Sequence, residues 1–302
     1  MRNVNEVAEN IYLIDNQLLS IPQMGSVYLL NEEKKALIES GPTTSANAVL
    51  DGIREVGVRP EDIVYIIVTH VHLDHAGGAG VLLKSMPQAQ VVVHHKGAKH
   101  LVDPARLISM TVEAQGQEAV ARHGEVVPIE RHRLQAVHDD DIIKLGEKQV
   151  LRFIDAPGHA PHELCISESR NGGLFTGDAA GLFIDGISLP APNANPELCI
   201  TTLRRLVNLN ATIIYFSHFG TSDKVQEFLQ LAIDQLQVWD DIVINAFKEN
   251  MFDSAAEKLI AQACAKLEPI KGKESLYEYL TEAHIPLCAT GHVEYYQEKL
   301  GR

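Results

Sequence analysis

With 302 residues, 45% of them hydrophobic, the chain is long enough to bury one large core or one core plus a smaller companion, and its composition excludes a disordered protein as the default. Forty acidic against 26 basic side chains leave a formal net charge of −14, which opposes attraction to phosphate backbones and anionic lipid, so no nucleic acid and no membrane is expected as a partner. No window approaches the roughly 18–20 apolar residues of a membrane span, and MRNVNEVAENIYLID lacks a basic region followed by an apolar stretch, which suits a soluble, cytoplasmic protein.

In chain order, NIYLID, SVYLLN and KALIES read as three short strands of a meander, rich in β-branched residues and separated by turn-formers. A Thr/Ser cap region and the near-helical spacing of Ala48, Val49, Ile53 and Val56 then predict a first helix. The continuous apolar run in RPEDIVYIIVTH predicts a strand buried on both faces, followed by a helix in HAGGAGVLLKSMP and another strand in AQVVVHH. Between Gly97 and Glu130 the pattern turns polar and helical, as one or two inserted helices would be, with Leu107, Met110 and Val112 available either as an apolar wall over a site or for packing. Short strands resume in DIIKLG, QVLRFIDAPGH, ELCISES and GGLFTGD, and the Phe183 segment after the last of these reads as a loop. PNANPELCITTLRRLVNL reads as a helix and ATIIYFSHFG as a final strand. From about Asp223 onward helical periodicity dominates, in KVQEFLQLAIDQLQVWDDIVINAFKEN, SAAEKLIAQACAKL and ESLYEYLTEA. Cys165, Cys199, Cys264 and Cys288 lie far apart without CxxC spacing, so buried free thiols are expected rather than a disulfide framework or a thiolate metal site.

The fourteen histidines are not evenly spread. THVHLDHAGG places His70 and His72 two apart at the mouth of the buried strand, with Asp74 and His75 directly behind. Residues two apart in an extended segment project to the same side, so these four donors can converge, and neutral imidazole with carboxylate suits zinc, iron or manganese. Three later fragments repeat the placement: His159 in APGHAPHE, Asp178 in LFTGDAAG and His218 in YFSHFG each follow an apolar strand. Strand ends at one edge of a layered fold share a rim where such loops meet. Taken singly, His218 is an ordinary strand-end histidine and Asp74 or Asp178 a turn or cap residue; their joint order carries the argument. His162 suits a supporting position beside the ligands, whereas His94, His95, His100, His123, His132, His138, His284 and His292 read as surface groups or hydrogen-bonding partners. Asp139, Asp140 and Asp141 read as a solvated turn.

These residues give the chain a family resemblance. It resembles the metallo-β-lactamase fold superfamily, whose HxHxDH motif is matched by His70, His72, Asp74 and His75, and whose later fragments are matched in order by GHAP, FTGD and SHFG, over roughly the first 220 residues. Within it the chain is most similar to the glyoxalase-II-like hydrolases, and VVVHHKGAKHLVDPARL and LFTGDAAGLF resemble a poorly characterised bacterial and archaeal branch. The resemblance implies an α/β fold: an αββα metallo-β-lactamase sandwich over residues 1–221 and a helical C-terminal extension over 222–302. It further implies two divalent metal ions, zinc before iron or manganese, with His70, His72 and His159 on one, Asp74, His75 and His218 on the other, and Asp178 bridging them.

Such a pair of ions can lower the pKa of a shared water and polarise a carbonyl or phosphoryl oxygen, which is hydrolytic chemistry with a metal-bridging hydroxide as nucleophile. Asp74 is the expected catalytic residue, orienting the nucleophile and carrying its proton. No GxSxG motif competes for the role. The expected substrate is a small molecule with an ester-like bond: a thioester, lactone or carboxylester. A small phosphodiester or phosphotriester is the alternative within the same fold. A di-iron oxygen-reducing enzyme is disfavoured because such relatives usually carry glutamate where His72 stands and append a flavodoxin-like domain, and a binding module is disfavoured because no ligand position is lost. Lys258, Lys266, Lys271 and Lys273 in the tail read as solvated rather than substrate-binding, and the tail suits a homodimer.

Overall fold

In the computed structural model, which describes residues 3–192, 195–249 and 251–301, the apolar runs between Val4 and Ser222 build two mixed β-sheets. The first has seven strands in sequential order: β1 (Val4–Ala8), β2 (Ile11–Asp15), β3 (Ser26–Leu30), β4 (Lys35–Ile38), β5 (Ile63–Ile67), β6 (Gln90–His94) and β7 (Leu134–Val137). Pairing is antiparallel from β1 to β4 and parallel from β4 to β7. The second sheet contains β8 (Ile142–Lys144), β9 (Val150–Asp155), β10 (Leu164–Glu168), β11 (Gly173–Phe175), β14 (Ile213–Tyr215) and β15 (Thr221–Ser222), ordered β15-β14-β11-β10-β9-β8. β1, β7 and β15 were not among the expected strands, and ATIIYFSHFG is therefore not the last one.

These strands belong to a unit comprising Met1–Asp155, His162–Gly177 and Ala211–Asp223. Alternation along each strand explains its run of apolar residues. Tyr28, Ile38, Ile67 and Val92 face Phe153, Ile166, Phe175 and Tyr215 of the second sheet, while Val27, Leu37, Ile66 and Val91 pack on the other face with Val49 and Ile53 of α1 (Ala46–Glu55). Each such side chain contributes roughly 1.5–3 kcal/mol by leaving water. The helix expected in HAGGAGVLLKSMP is divided into α2 (Leu73–Ala76) and α3 (Ala79–Leu82). Gly78 sits at the break because the loop before α1 crosses it closely: a Cβ there would lie 2.9 Å from the carbonyl oxygens of Gly41 and Pro42. The insert forms three helices rather than one or two, α4 (Ala98–Val102), α5 (Ala105–Gln115) and α6 (Gln117–His123). Leu107 packs into the core behind the first sheet, whereas Met110 is exposed.

A second unit comprises Ala156–Pro161, Asp178–Asn210 and Lys224–Arg302. Its Phe183 segment is a hairpin, not a loop: β12 (Leu182–Ile184) and β13 (Ile187–Leu189) pair around Asp185 and Gly186, whose φ values of 51° and 81° are those of a tight hairpin turn. Helix α7 (Pro196–Val207) begins with the Asn195 side chain accepting from Leu198 N, and with Pro196 in its first turn. Asn193 and Ala194, at the head of that expected helix, lie outside the described residues. The tail is helical as expected: α8 (Val225–Lys248), α9 (Ala255–Cys264), α10 (Glu274–Tyr279) and α11 (Ile285–Leu300), with a π-helical turn over Leu280–His284 before the last. Leu229, Ile233, Leu236, Trp239 and Val243 form the buried stripe of α8. Among the described residues, no helix is long and apolar enough to cross a membrane.

Candidate metal centre

The first ligand segment leaves β5 in an extended conformation and turns into α2, which gathers His70, His72, Asp74 and His75 within six residues. His70 Nε2 and His72 Nδ1 approach to 3.0 Å. His70 Nδ1 lies 3.1 Å from Thr69 Oγ1, which itself donates to Glu39 Oε1 at 2.6 Å. Behind His75 the buried Glu39 carboxylate accepts from His75 Nδ1 at 3.0 Å, from Ser217 Oγ at 2.9 Å and from the Thr69 main-chain N–H at 3.2 Å. His75 Nε2 is thereby turned toward Asp74, 3.5 Å from Oδ2.

His218 follows β14 in a loop pinned from the first sheet. Tyr28 Oη donates to the Phe216 carbonyl at 2.7 Å with the Gly220 carbonyl at 2.8 Å, and Ser26 N–H donates to the Ser217 carbonyl at 2.8 Å. Phe219 is held at φ 75°, a conformation a bulky residue adopts only when its surroundings impose it. His218 Nδ1 lies 3.3 Å from the Met24 carbonyl, leaving Nε2 3.6 Å from Asp74 Oδ2. His159 follows β9 and Asp178 follows β11. His159 Nδ1 bonds the Pro192 carbonyl, and its Nε2 lies 3.6 Å from Asp178 Oδ2.

The same rule governs His70, His75, His159 and His218: Nδ1 is engaged by oxygen and Nε2 is turned toward another candidate ligand. That is how a protein fixes the tautomer of a metal-binding imidazole. Donors bound tetrahedrally at about 2.0–2.1 Å stand roughly 3.3–3.4 Å apart, and the donor separations of 3.0–3.6 Å here match that spacing. Three groups have ligand atoms within 4.8 Å of one another: His70 with His72 and His159, His70 with His75 and Asp178, and Asp74 with His75 and His218. All seven residues expected as ligands fall in these groups, and the donor set fits two divalent ions.

Residues 21–218 match the family model described as the metallo-beta-lactamase superfamily. The chain belongs to this superfamily. It is a metal-binding hydrolase of that family. It is 25% identical over 215 residues to the metallo-beta-lactamase fold-containing protein ST1585 of Sulfurisphaera tokodaii, an alignment covering 69% of this chain and 78% of the relative. It is 27% identical over 187 residues to the N-acyl homoserine lactonase of Bacillus thuringiensis, covering 58% of this chain and 63% of the lactonase. Among solved structures, the metallo-beta-lactamase family protein TTHA1429 of Thermus thermophilus superposes with a TM-score of 0.69 at 20% identity, covering 98% of this chain and 95% of that one.

In this metallo-β-lactamase superfamily chain, burial would raise the Asp74 carboxyl, but the adjacent His75, then His218 and His123, hold it well below the usual carboxylate range. Asp74 therefore stays ionised although its side chain is only 24% exposed. The His162 ring lies 5.9 Å from that of His72 and 6.4 Å from that of His70. His94, His284 and His292 are buried hydrogen-bonding partners, of Asp155, the Pro190 carbonyl and Asp240 respectively. His123 is likewise a buried hydrogen-bonding partner, with Nδ1 on the Ala119 carbonyl, and it is near enough for its charge to act on Asp74. Glu39 is the functional residue that the motif reading missed. The only trace it leaves in sequence is an acidic residue directly after the apolar run KALI, where a buried strand end needs a reason to carry charge.

Proposed function

We propose that the seven residues hold two zinc ions and that the protein hydrolyses an ester-like bond of a small molecule, a thioester, lactone or carboxylester, in the cytoplasm. The supporting observation is the overlap of the three ligand groups: His70 is common to two of them, His75 to two, and Asp178 joins the member that links both. Nitrogen and carboxylate donors suit zinc, and iron or manganese bind the same set. Two bound ions would lower the pKa of a shared water and polarise the substrate carbonyl. The remaining tasks fall to the chain itself. Glu39 and the Met24 and Pro192 carbonyls hold three of the imidazoles in one orientation. Asp74, ionised at the partly exposed edge of the cluster, would orient the attacking water by accepting its hydrogen bond. The similarity to a lactonase supports the lactone arm of this reading, and four cysteines that form no disulfide among the described residues, three of them buried, suit a reducing compartment.

Elemental analysis of freshly purified protein, followed by a panel of lactone, thioester, carboxylester and phosphodiester substrates on the same sample, tests both parts. Two ions per chain and turnover of one of the first three classes are expected. Protein without the ion pair would refute the centre, and turnover confined to phosphodiesters would refute the substrate class.

A further inference from the structure

We infer that the C-terminal helices position the metal ligand His159 by gripping the carbonyl of Pro190, which makes His284 and Cys288 positioning residues of the centre. The inference rests on the seven-ligand reading above. His284 closes the π-helical turn over Leu280–His284, and Cys288 lies four residues on along α11, so both side chains share one face of the helix. Both are buried. His284 Nε2 donates to the Pro190 carbonyl at 3.0 Å, the Cys288 thiol approaches the same oxygen at 3.4 Å, and the two side chains are themselves 3.4 Å apart.

Pro190 begins the segment Pro190-Ala191-Pro192. Two prolines in three residues restrict their own φ and confine the residue between them to extended backbone, so the segment transmits position as a stiff strut. At its far end, the Pro192 carbonyl accepts from His159 Nδ1, and this contact leaves His159 Nε2 facing Asp178. Helix α8 steadies the near end through Gln235 Nε2, which donates to the Ser188 carbonyl at 2.9 Å. A buried imidazole costs free energy unless it is hydrogen-bonded, and the Pro190 carbonyl supplies that bond to His284. The polar pair is accounted for by what it grips.

The test is a competition titration of zinc against a chromogenic chelator, able to resolve two ions per chain, on wild-type protein and on His284→Phe, His284→Gln and Cys288→Ala. Phenylalanine keeps a ring but loses the donor. It should weaken one of the two ions about 10–100-fold and leave the other nearly unchanged. Glutamine supplies an amide donor and should recover most of the lost affinity. Cys288→Ala removes a weaker contact and a small volume, and should weaken the same ion about threefold, so a His284→Phe chain that fails to fold does not end the test. A purely structural role predicts a lower melting temperature with both ions bound as in wild type, and that result in His284→Phe, or in Cys288→Ala should the former not fold, overturns the inference alone. A wild-type chain that binds no ion pair overturns the inference together with the ligand assignment.

Discussion

His75 and His159 fill corresponding places in the two halves of the proposed ligand set, yet they are oriented by opposite kinds of partner. His75 is turned by Glu39, an anion buried at the end of β4 that also accepts from Thr69 and Ser217. His159 is turned by a neutral carbonyl on a proline-bounded segment. A charged acceptor makes the stronger hydrogen bond and raises the basicity of its imidazole, whereas a carbonyl fixes direction with little electronic effect. His75 is therefore tuned by charge and His159 by the placement of backbone.

The largest effect should come from removing a ligand outright. His72→Ala and Asp178→Asn should each lose metal and lower turnover by about a thousandfold or more, because several kcal/mol of transition-state charge stabilisation depends on the ions and each 1.36 kcal/mol is tenfold in rate. Metal content and steady-state kinetics on one preparation check this, with circular dichroism to show that the fold persists. Two retained ions and wild-type turnover in His72→Ala would remove that residue from the centre.

A smaller loss is expected from Glu39→Gln, which keeps the shape and removes the charge. Metal affinity should fall about 10–100-fold, chiefly for the ion of His75, Asp74 and His218. Stability should fall too, because hydrogen bonds to an ion contribute about 1.5–3 kcal/mol each and the neutral amide keeps only part of that. Chelator competition with thermal melting separates the two effects. If the ion beside His159 is lost first in this variant, the contrast between the two imidazoles is wrong.

The seven residues of the three donor groups were legible because each lies within a few residues of an apolar strand, and the buried strands β5, β9, β11 and β14 announce themselves by composition. Their supports were much less so. Glu39 is one acidic residue among forty, and its meaning depends on partners 30, 36 and 178 positions away. The β12–β13 hairpin did carry a readable signal, Asp185-Gly186 between the apolar triplets LFI and ISL, which a search for hairpin turns would have caught. β1 and β15 offered less, being an edge strand with an irregular register and a two-residue strand. The break between α2 and α3 arises from a loop more than thirty residues earlier pressing on Gly78, so no local pattern encodes it.

The smallest expected effect concerns a second attachment of the same tail, lying at the surface. Glu197 on α7 accepts from Tyr295 Oη at 2.9 Å and pairs with Lys299, both on α11. Those bonds hold its carboxyl below the ordinary 4.5, while burial, and then the carboxylate, push the Tyr295 phenol up to about 12. A carboxyl whose folded pKa is depressed contributes stability above its unfolded pKa and loses that contribution as pH falls through the folded value. Glu197→Gln should therefore cost less than about 1 kcal/mol at neutral pH, since the pair is half exposed and screened by water, and the difference from wild type should start to shrink near pH about 4.3 and vanish once the pH passes the depressed folded value. Melting curves across pH measure this directly. Metal affinity should not change, because this tether restrains α11 without touching the segment that holds His159; an ion loss as large as that expected for His284→Phe would mean that the tail acts through its general attachment and not through Pro190.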